Sequence, residues 1–137
     1  MNDKQTFIDS NVWLYAFIQS DKAKHLAAKE AVRQIKSPVI STQVVSEVCV
    51  NMLKKAGRKE PFVRELISSF HSQYEIVALT EGVLLRASRL REQYSLSYWD
   101  SMICSAALES HCDILLTEDM QHGLLIEDHL KIINPFI

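Results

Sequence analysis

Residues 98–123 read YWDSMICSAALESHCDILLTEDMQHG, and this stretch decides the fold. Ser97 is suited to cap a helix over residues 98–111, with Trp99, Met102, Ile103, Ala106 and Ala107 as its apolar positions. A short apolar strand follows over 113–117. One acid, Asp100, stands in the first turn of the helix, and another, Asp119, lies at the end of the strand.

Two more acids occupy similar settings upstream. Asp9 closes the apolar run Thr6-Phe7-Ile8, which reads as a buried strand, and Ser10 or Asn11 can cap a helix starting near Val12. Asp21 caps a second helix with Ala23, Leu26, Ala27, Ala31 and Ile35 inward. Val39-Ile40 is a second strand, with Ser41 or Thr42 capping the helix after it. Glu47 lies at the border of that helix's stripe of Val44, Val45, Val48, Cys49, Met52 and Leu53, and Gly57 ends the helix. Pro61 fits the first turn of another helix, residues 76–79 form a third strand, and Thr80 caps a helix with Val83, Leu84, Ala87, Leu90 and Tyr94 inward. Residues 121–128 read as irregular, and 131–133 as a fifth strand.

Strands alternate with helices throughout, which argues for an α/β fold of one domain over residues 1–137, with a mainly parallel sheet of four to five strands covered by helices on both faces. Ligands of such sheets bind beyond the carboxyl ends of the strands. Asp9 and Asp119 each close a strand, and Glu47 lies about two turns into the helix leaving the second strand. Asp100 can reach the same edge only if its helix begins near the carboxyl end of the sheet, as a crossover helix antiparallel to its strands does, so the topology allows one cluster without requiring it. Two carboxylates about 5 Å apart repel by roughly 3 kcal/mol at an effective dielectric near 20. A cluster of four therefore calls for a cation or a shared proton. Hard oxygen donors without His or Cys suit Mg²⁺ or Mn²⁺ better than Zn²⁺, and such a centre points to phosphodiester hydrolysis.

The bulk properties agree with a compact domain. The chain has 137 residues, 47% hydrophobic and 23% charged. No apolar run approaches the length of a bilayer span, and the first residues show no apolar segment of a signal peptide. The three cysteines, Cys49, Cys104 and Cys112, lack CxxC spacing and read as free thiols, so a cytoplasmic location is expected. Net charge is −2, but withdrawing four of the 17 acids into a metal centre leaves 13 against 15 bases, a balance compatible with nucleic acid.

At these positions the chain resembles the PIN-domain family, and within it the VapC-type toxins of toxin–antitoxin pairs. The matching pieces are FIDSNVWLY with Asp9 and Asn11, VVSEV with Glu47, YWDSMICSAA with Asp100, LLTEDMQHG with Asp119, and the closing IINPF. They follow one another in the family's order across essentially the whole chain. The resemblance implies a PIN-like doubly wound sheet and a Mg²⁺- or Mn²⁺-dependent endoribonuclease. It implies that Asp9, Asp100 and Asp119 are direct metal ligands, that Glu47 completes the centre, and that Asn11 and Thr117 support the acids by hydrogen bonds. It also implies structured RNA such as transfer RNA as substrate, a cognate antitoxin as inhibitor, and a homodimer.

Some residues stay open at this level. Glu118 adjoins Asp119, and one of the two should point away; Asp119 is the better ligand. His122 reads as an RNA contact, a proton-transfer group or a loop anchor. Lys54, Lys55, Arg58 and Lys59 are candidate RNA contacts or a solvated helix end, and Arg86, Arg89 and Arg91 carry the same ambiguity. No aromatic RNA-stacking motif is evident. Two other functions compete. A non-catalytic PIN-like module binding protein or RNA would have little reason to keep a repulsive cluster. A phosphoacceptor receiver needs paired acids after the first strand and a Lys near the last, which this chain lacks. Its three glycines form no phosphate-binding loop.

Overall fold

The computed structural model describes residues 4–137. Its elements are β1 (Thr6–Ile8), α1 (Ser10–Phe17), α2 (Lys22–Gln34), β2 (Pro38–Ser41), α3 (Thr42–Lys54), α4 (Glu60–Gln73), β3 (Glu75–Val77), α5 (Glu81–Gln93), α6 (Tyr98–Glu109), β4 (Ile114–Leu116), β5 (Leu125–Ile126) and β6 (Leu130–Ile133). The strands form one sheet in the order β3-β2-β1-β4-β6-β5. All pairs are parallel except β5–β6. Helices α1 to α4 pack on one another and α5 packs on α6, so two helical groups flank the sheet. The α/β architecture is the one the alternation of elements predicts.

The core is made by the strands and the helix faces laid on them. Phe7, Ile8, Ile40, Leu115 and Ile132 come from the sheet, and Val12, Val44, Val48, Met102 and Ile103 from the helices. Each such side chain contributes about 1.5–3 kcal/mol by leaving water. Helix α6 is buried from Ser101 through Leu108, because its Ala and Ser residues let it lie close to the sheet. The buried Ser105 hydroxyl is satisfied by donating to the Val83 carbonyl at 2.6 Å. Trp13 packs edge-on against Phe70 at 5.2 Å, and its indole N–H donates to the Ile8 carbonyl at 3.2 Å.

Four local expectations are corrected. The sheet has six strands rather than four or five, because β5 forms inside the segment expected to be irregular. It pairs antiparallel to β6 through a tight turn at Glu127 and Asp128, both at positive φ. That turn is anchored, since the Glu127 N–H donates to the Tyr94 hydroxyl at 2.7 Å and Arg86 pairs with Glu127 and Glu109. Helix α1 starts at Ser10, two residues before Val12, and Asp9 itself is its N-cap, accepting from the Ser10 N–H. On α2 the buried residues are His25 and Ala28, and Leu26 is exposed. On α5 Leu84 faces outward rather than inward.

Candidate active site at the carboxyl edge

The strand order places β2 on one side of β1 and β4 on the other, so the chain changes direction of winding between β1 and β4. Such a switch point is where open α/β sheets form their crevice. The register pairs Ile8 with Leu116, so Asp9 and Thr117 are the next residues out on adjacent strands. The Asp9 N–H continues the ladder to the Leu116 carbonyl at 3.0 Å. The Thr117 hydroxyl then donates to Asp9 Oδ2 at 2.8 Å, and the Ser10 N–H donates to Asp9 Oδ1 at 2.7 Å. Asp9 is thus a buried carboxylate held at both oxygens.

The other acids arrive on different elements. Asp119 follows β4 by a short turn, its N–H donating to the Thr117 hydroxyl at 3.1 Å. Asn11, in the first turn of α1, ties the strands together. Its amide donates to Asp119 Oδ2 at 3.0 Å and to Thr117 Oγ1 at 3.1 Å, and its Oδ1 accepts from the Glu118 N–H at 3.2 Å. Glu47 projects from α3, which Ser41 caps at the end of β2, and the Ser10 hydroxyl donates to Glu47 Oε1 at 2.9 Å. Asp100 is in the first turn of α6, where the Ser97 hydroxyl accepts from its N–H at 3.1 Å. Because α6 runs antiparallel to β4, its start lies at the same edge.

The electrostatics show that the four acids sense one another. Burial raises the Asp9 pKa to about 7; the hydrogen bonds from Thr117 and Ser10 oppose the rise, while the charges of Glu47 and Asp119 add to it. The Asp100 carboxyl is also raised, chiefly by burial, with Ser97 opposing and Asp119 and Glu47 adding. Burial, with Asp100 and Asp9 nearby, pushes the Cys104 thiol up to about 12, so it stays neutral and is no thiolate ligand. The donor chemistry on offer is therefore carboxylate oxygen, which fits a hard divalent cation. As they stand, however, no three His, Cys, Asp or Glu side chains among the described residues are arranged to hold a metal ion. The acids converge without forming a closed ligand cage, and the Asn11 amide lies between Asp9 and Asp119.

The neighbouring candidates separate clearly. Glu118 turns away from the cluster to an ion pair with Lys24 Nζ at 2.9 Å, against the Tyr15 ring. His122 is exposed, and its Nδ1 accepts from the Asn134 N–H at 3.0 Å, so it anchors the loop to the residue after β6. Lys54, Lys55, Arg58 and Lys59 are all exposed beyond the acids, with Arg58 lying over the Phe62 ring at 4.4 Å. Lys55 shares a cleft with Asn11, Asn51 and Glu118. Arg86 is committed to Glu109 and Glu127, and Arg91 to the Ser101 hydroxyl and the Tyr98 ring, so these two serve the fold. Sequence reasoning gave no site role to Ser10, Gln43 or Lys24, the first two bonded to Glu47 and the third to Glu118. Ser10 was legible only as a cap beside Asp9, and no spacing rule links Gln43 or Lys24 to the acids.

A family profile described as the PIN domain matches residues 6–123. That span holds all four acids and stops short of β5 and β6. Among solved structures, a toxin–antitoxin complex from Klebsiella pneumoniae is similar with a TM-score of 0.72 and 21% identity, covering 96% of this chain and 98% of that one. FitAcB from Neisseria gonorrhoeae gives a TM-score of 0.73 at 13% identity, over 96% and 99%. VapC20 from Mycobacterium tuberculosis, described as a sarcin–ricin loop cleaving toxin, gives 0.67 at 14% identity, over 81% and 87%. A comparison with curated protein sequences found no match.

Proposed function

The chain belongs to the PIN domain family, and from that premise we propose that it is a divalent-metal-dependent endoribonuclease, the toxin of a toxin–antitoxin pair. The observation that carries this reading is the convergence of Asp9, Glu47, Asp100 and Asp119 at the β1/β4 switch point, where the charges of Glu47 and Asp119 add to the raised proton affinity of Asp9 and Asp100. A folded protein that keeps such mutual repulsion gains from a bound cation. The structural relatives described as toxins or as parts of toxin–antitoxin complexes support the same reading.

In this reading Asp9, Asp100 and Asp119 bind Mg²⁺ or Mn²⁺, and Glu47 completes the centre. When bound, the metal supplies a water of lowered pKa and positive charge for the departing oxygen of the phosphodiester. The chain's own residues do the rest. Thr117 and Ser10 hold Asp9 fixed, and Asn11 fixes Asp119 relative to it. The Ser10 hydroxyl orients Glu47, whose other oxygen lies 3.4 Å from the Gln43 amide. Glu47 is thereby placed to hold a water and take up its proton. Lys54, Lys55, Arg58 and Lys59 offer positive charge to RNA phosphates leading away from the acids.

A structured RNA such as transfer RNA is the proposed substrate. A cognate antitoxin is the proposed inhibitor, supported by the similarity to a toxin–antitoxin complex. The protein is further proposed to act as a homodimer in the cytoplasm; no helix among the described residues is long and apolar enough to cross a membrane. The test is incubation of the purified chain with total transfer RNA, with Mg²⁺ or Mn²⁺ or with chelator, beside Asp100→Asn. Discrete cleavage that requires metal and vanishes in the variant is expected. Cleavage that persists in chelator or in the variant contradicts the reading.

A further inference from the structure

Trp99 stands directly before Asp100, and sequence patterning places it on the apolar side of α6. The structure turns it outward instead, 56% exposed. Its ring meets Tyr98 edge to face at 5.1 Å, and the Arg91 guanidinium covers the Tyr98 ring at 4.4 Å. Tyr98 is thus fixed from behind, and Trp99 is held at the surface by a braced neighbour. Leaving a large apolar ring in water has no benefit for the fold.

Trp99 forms one wall of a cleft of about 380 Å³ whose other walls are Thr42, Gln43, Ser46, Glu47 and Leu79. Glu47 connects this cleft to the acid cluster, through Ser10 and Asp9. Trp99 and Leu79 supply apolar surface, and Thr42 and Ser46 supply hydroxyls. Gln43 adds an anomaly. Its side chain is buried, its amide nitrogen reaches Glu47 Oε2 at 3.4 Å, and its Oε1 is a buried acceptor with no hydrogen-bond partner. A buried acceptor left unpaired is destabilising, and a ligand that donates to it removes that penalty. A flat apolar wall beside unspent polar groups is the chemistry that receives a nucleobase.

We propose that the cleft between Trp99 and Gln43 is a nucleobase subsite, in which the base next to the scissile phosphate stacks on Trp99 and presents a donor edge to Gln43. The proposal rests on the ribonuclease reading for the identity of the ligand. It assigns Trp99 to substrate selection rather than to the chemical step. The subsite accepts an unpaired base, so the cleaved bond lies in a loop or single strand.

The chain's two tryptophans make the test direct, because Trp13 is 2% exposed and Trp99 dominates any solvent-accessible emission. Short single-stranded ribonucleotide hexamers are titrated into the Asp100→Asn protein in chelator, so that binding is read without turnover. Saturable quenching is expected. Trp99→Leu should lose the quenching and weaken binding roughly tenfold or more, and Trp99→Phe should restore most of the affinity, since loss of one stacked base costs about 1–3 kcal/mol. Gln43→Leu should narrow the spread of affinities among A, C and U hexamers. Equal affinity in Trp99→Leu overturns the proposal. So does Trp99 emission that changes on dilution without RNA while hexamers leave it unmoved, which would mean that a second copy of the chain covers the cleft. The two levels separate cleanly: a wild-type chain that cleaves RNA while hexamers fail to quench Trp99 removes only the subsite. Quenching without cleavage of any RNA leaves a base-binding cleft and removes the nuclease.

Discussion

Thr117 Oγ1 donates to Asp9 Oδ2 at 2.8 Å, joining the ends of β4 and β1 across 108 positions of sequence. The bond follows from the register, which sets Ile8 beside Leu116 and so brings the next residues of both strands together. It stabilises ionised Asp9, which burial otherwise disfavours. Thr117→Val keeps the shape and removes the donor. The expected cost is about 1.5–3 kcal/mol where Asp9 is charged. The loss should be smaller at pH 5 than at pH 8, as read by urea denaturation of the metal-free protein. An equal loss at both values would mean that the hydroxyl acts through its bonds from the Asn11 amide and the Asp119 N–H, independently of the Asp9 charge.

Asp9 should also shape the pH dependence of stability. Its pKa stands near 7 in the fold against 3.8 as the ordinary value. A raised carboxyl contributes stability that is present below about pH 4 and is lost as pH rises through about 7. Asp9→Asn removes this dependence while keeping a residue able to cap α1. The difference in unfolding free energy, variant minus wild type, should grow by a few kcal/mol between pH 4 and pH 8 without metal. A flat difference would show that Asp9 is ionised in the fold at no cost.

Adjacent acids should behave oppositely. Glu118 is committed to Lys24, whereas Asp119 is held by Asn11 at the cluster. Asp119→Asn is expected to reduce metal-dependent cleavage by roughly a hundredfold or more, in the range of a lost essential acid–base or ligand group. Glu118→Gln should retain activity within a few-fold. Reversed effects in a cleavage assay would reassign the site to Glu118.

If Lys54, Lys55, Arg58 and Lys59 touch RNA phosphates, binding should carry a salt signature. Replacing all four with Ala should lower the slope of log affinity against log salt by about 3 for a single-stranded RNA. An unchanged slope would confine these residues to a solvated helix end.

Much of this arrangement is legible in the sequence because it depends on local chemistry. Caps at Asp21, Ser41, Thr80 and Ser97 act within one turn, so the starts of α2, α3, α5 and α6 can be read directly. Asp9 and Asp119 stand at strand ends, and a parallel sheet sends strand ends to one edge. What escaped depends on tertiary geometry. β5 has two residues, too few for a periodic pattern, and exists because β6 offers it an edge. His25 displaced Leu26 from the buried side of α2 because its ring bonds both the Tyr15 carbonyl and Gln19. Trp99 looked like core because an apolar residue beside a buried helix face gives no sign of a cleft next to it. The Lys24–Glu118 pair spans 94 positions, and no spacing announces it.

The most direct measurement is Mn²⁺ binding to the purified chain, followed by the loss of the free-ion paramagnetic resonance signal. It is made on wild type, on Asp9→Asn, Glu47→Gln, Asp100→Asn and Asp119→Asn, and on Glu118→Gln as control. Saturable binding is expected in the wild type and the control. Removing Asp9, Asp100 or Asp119 should weaken it at least tenfold, and removing Glu47 should weaken it measurably. Wild-type affinity in all four variants, or no saturable binding in any protein, would contradict the claim that these carboxylates make one metal centre.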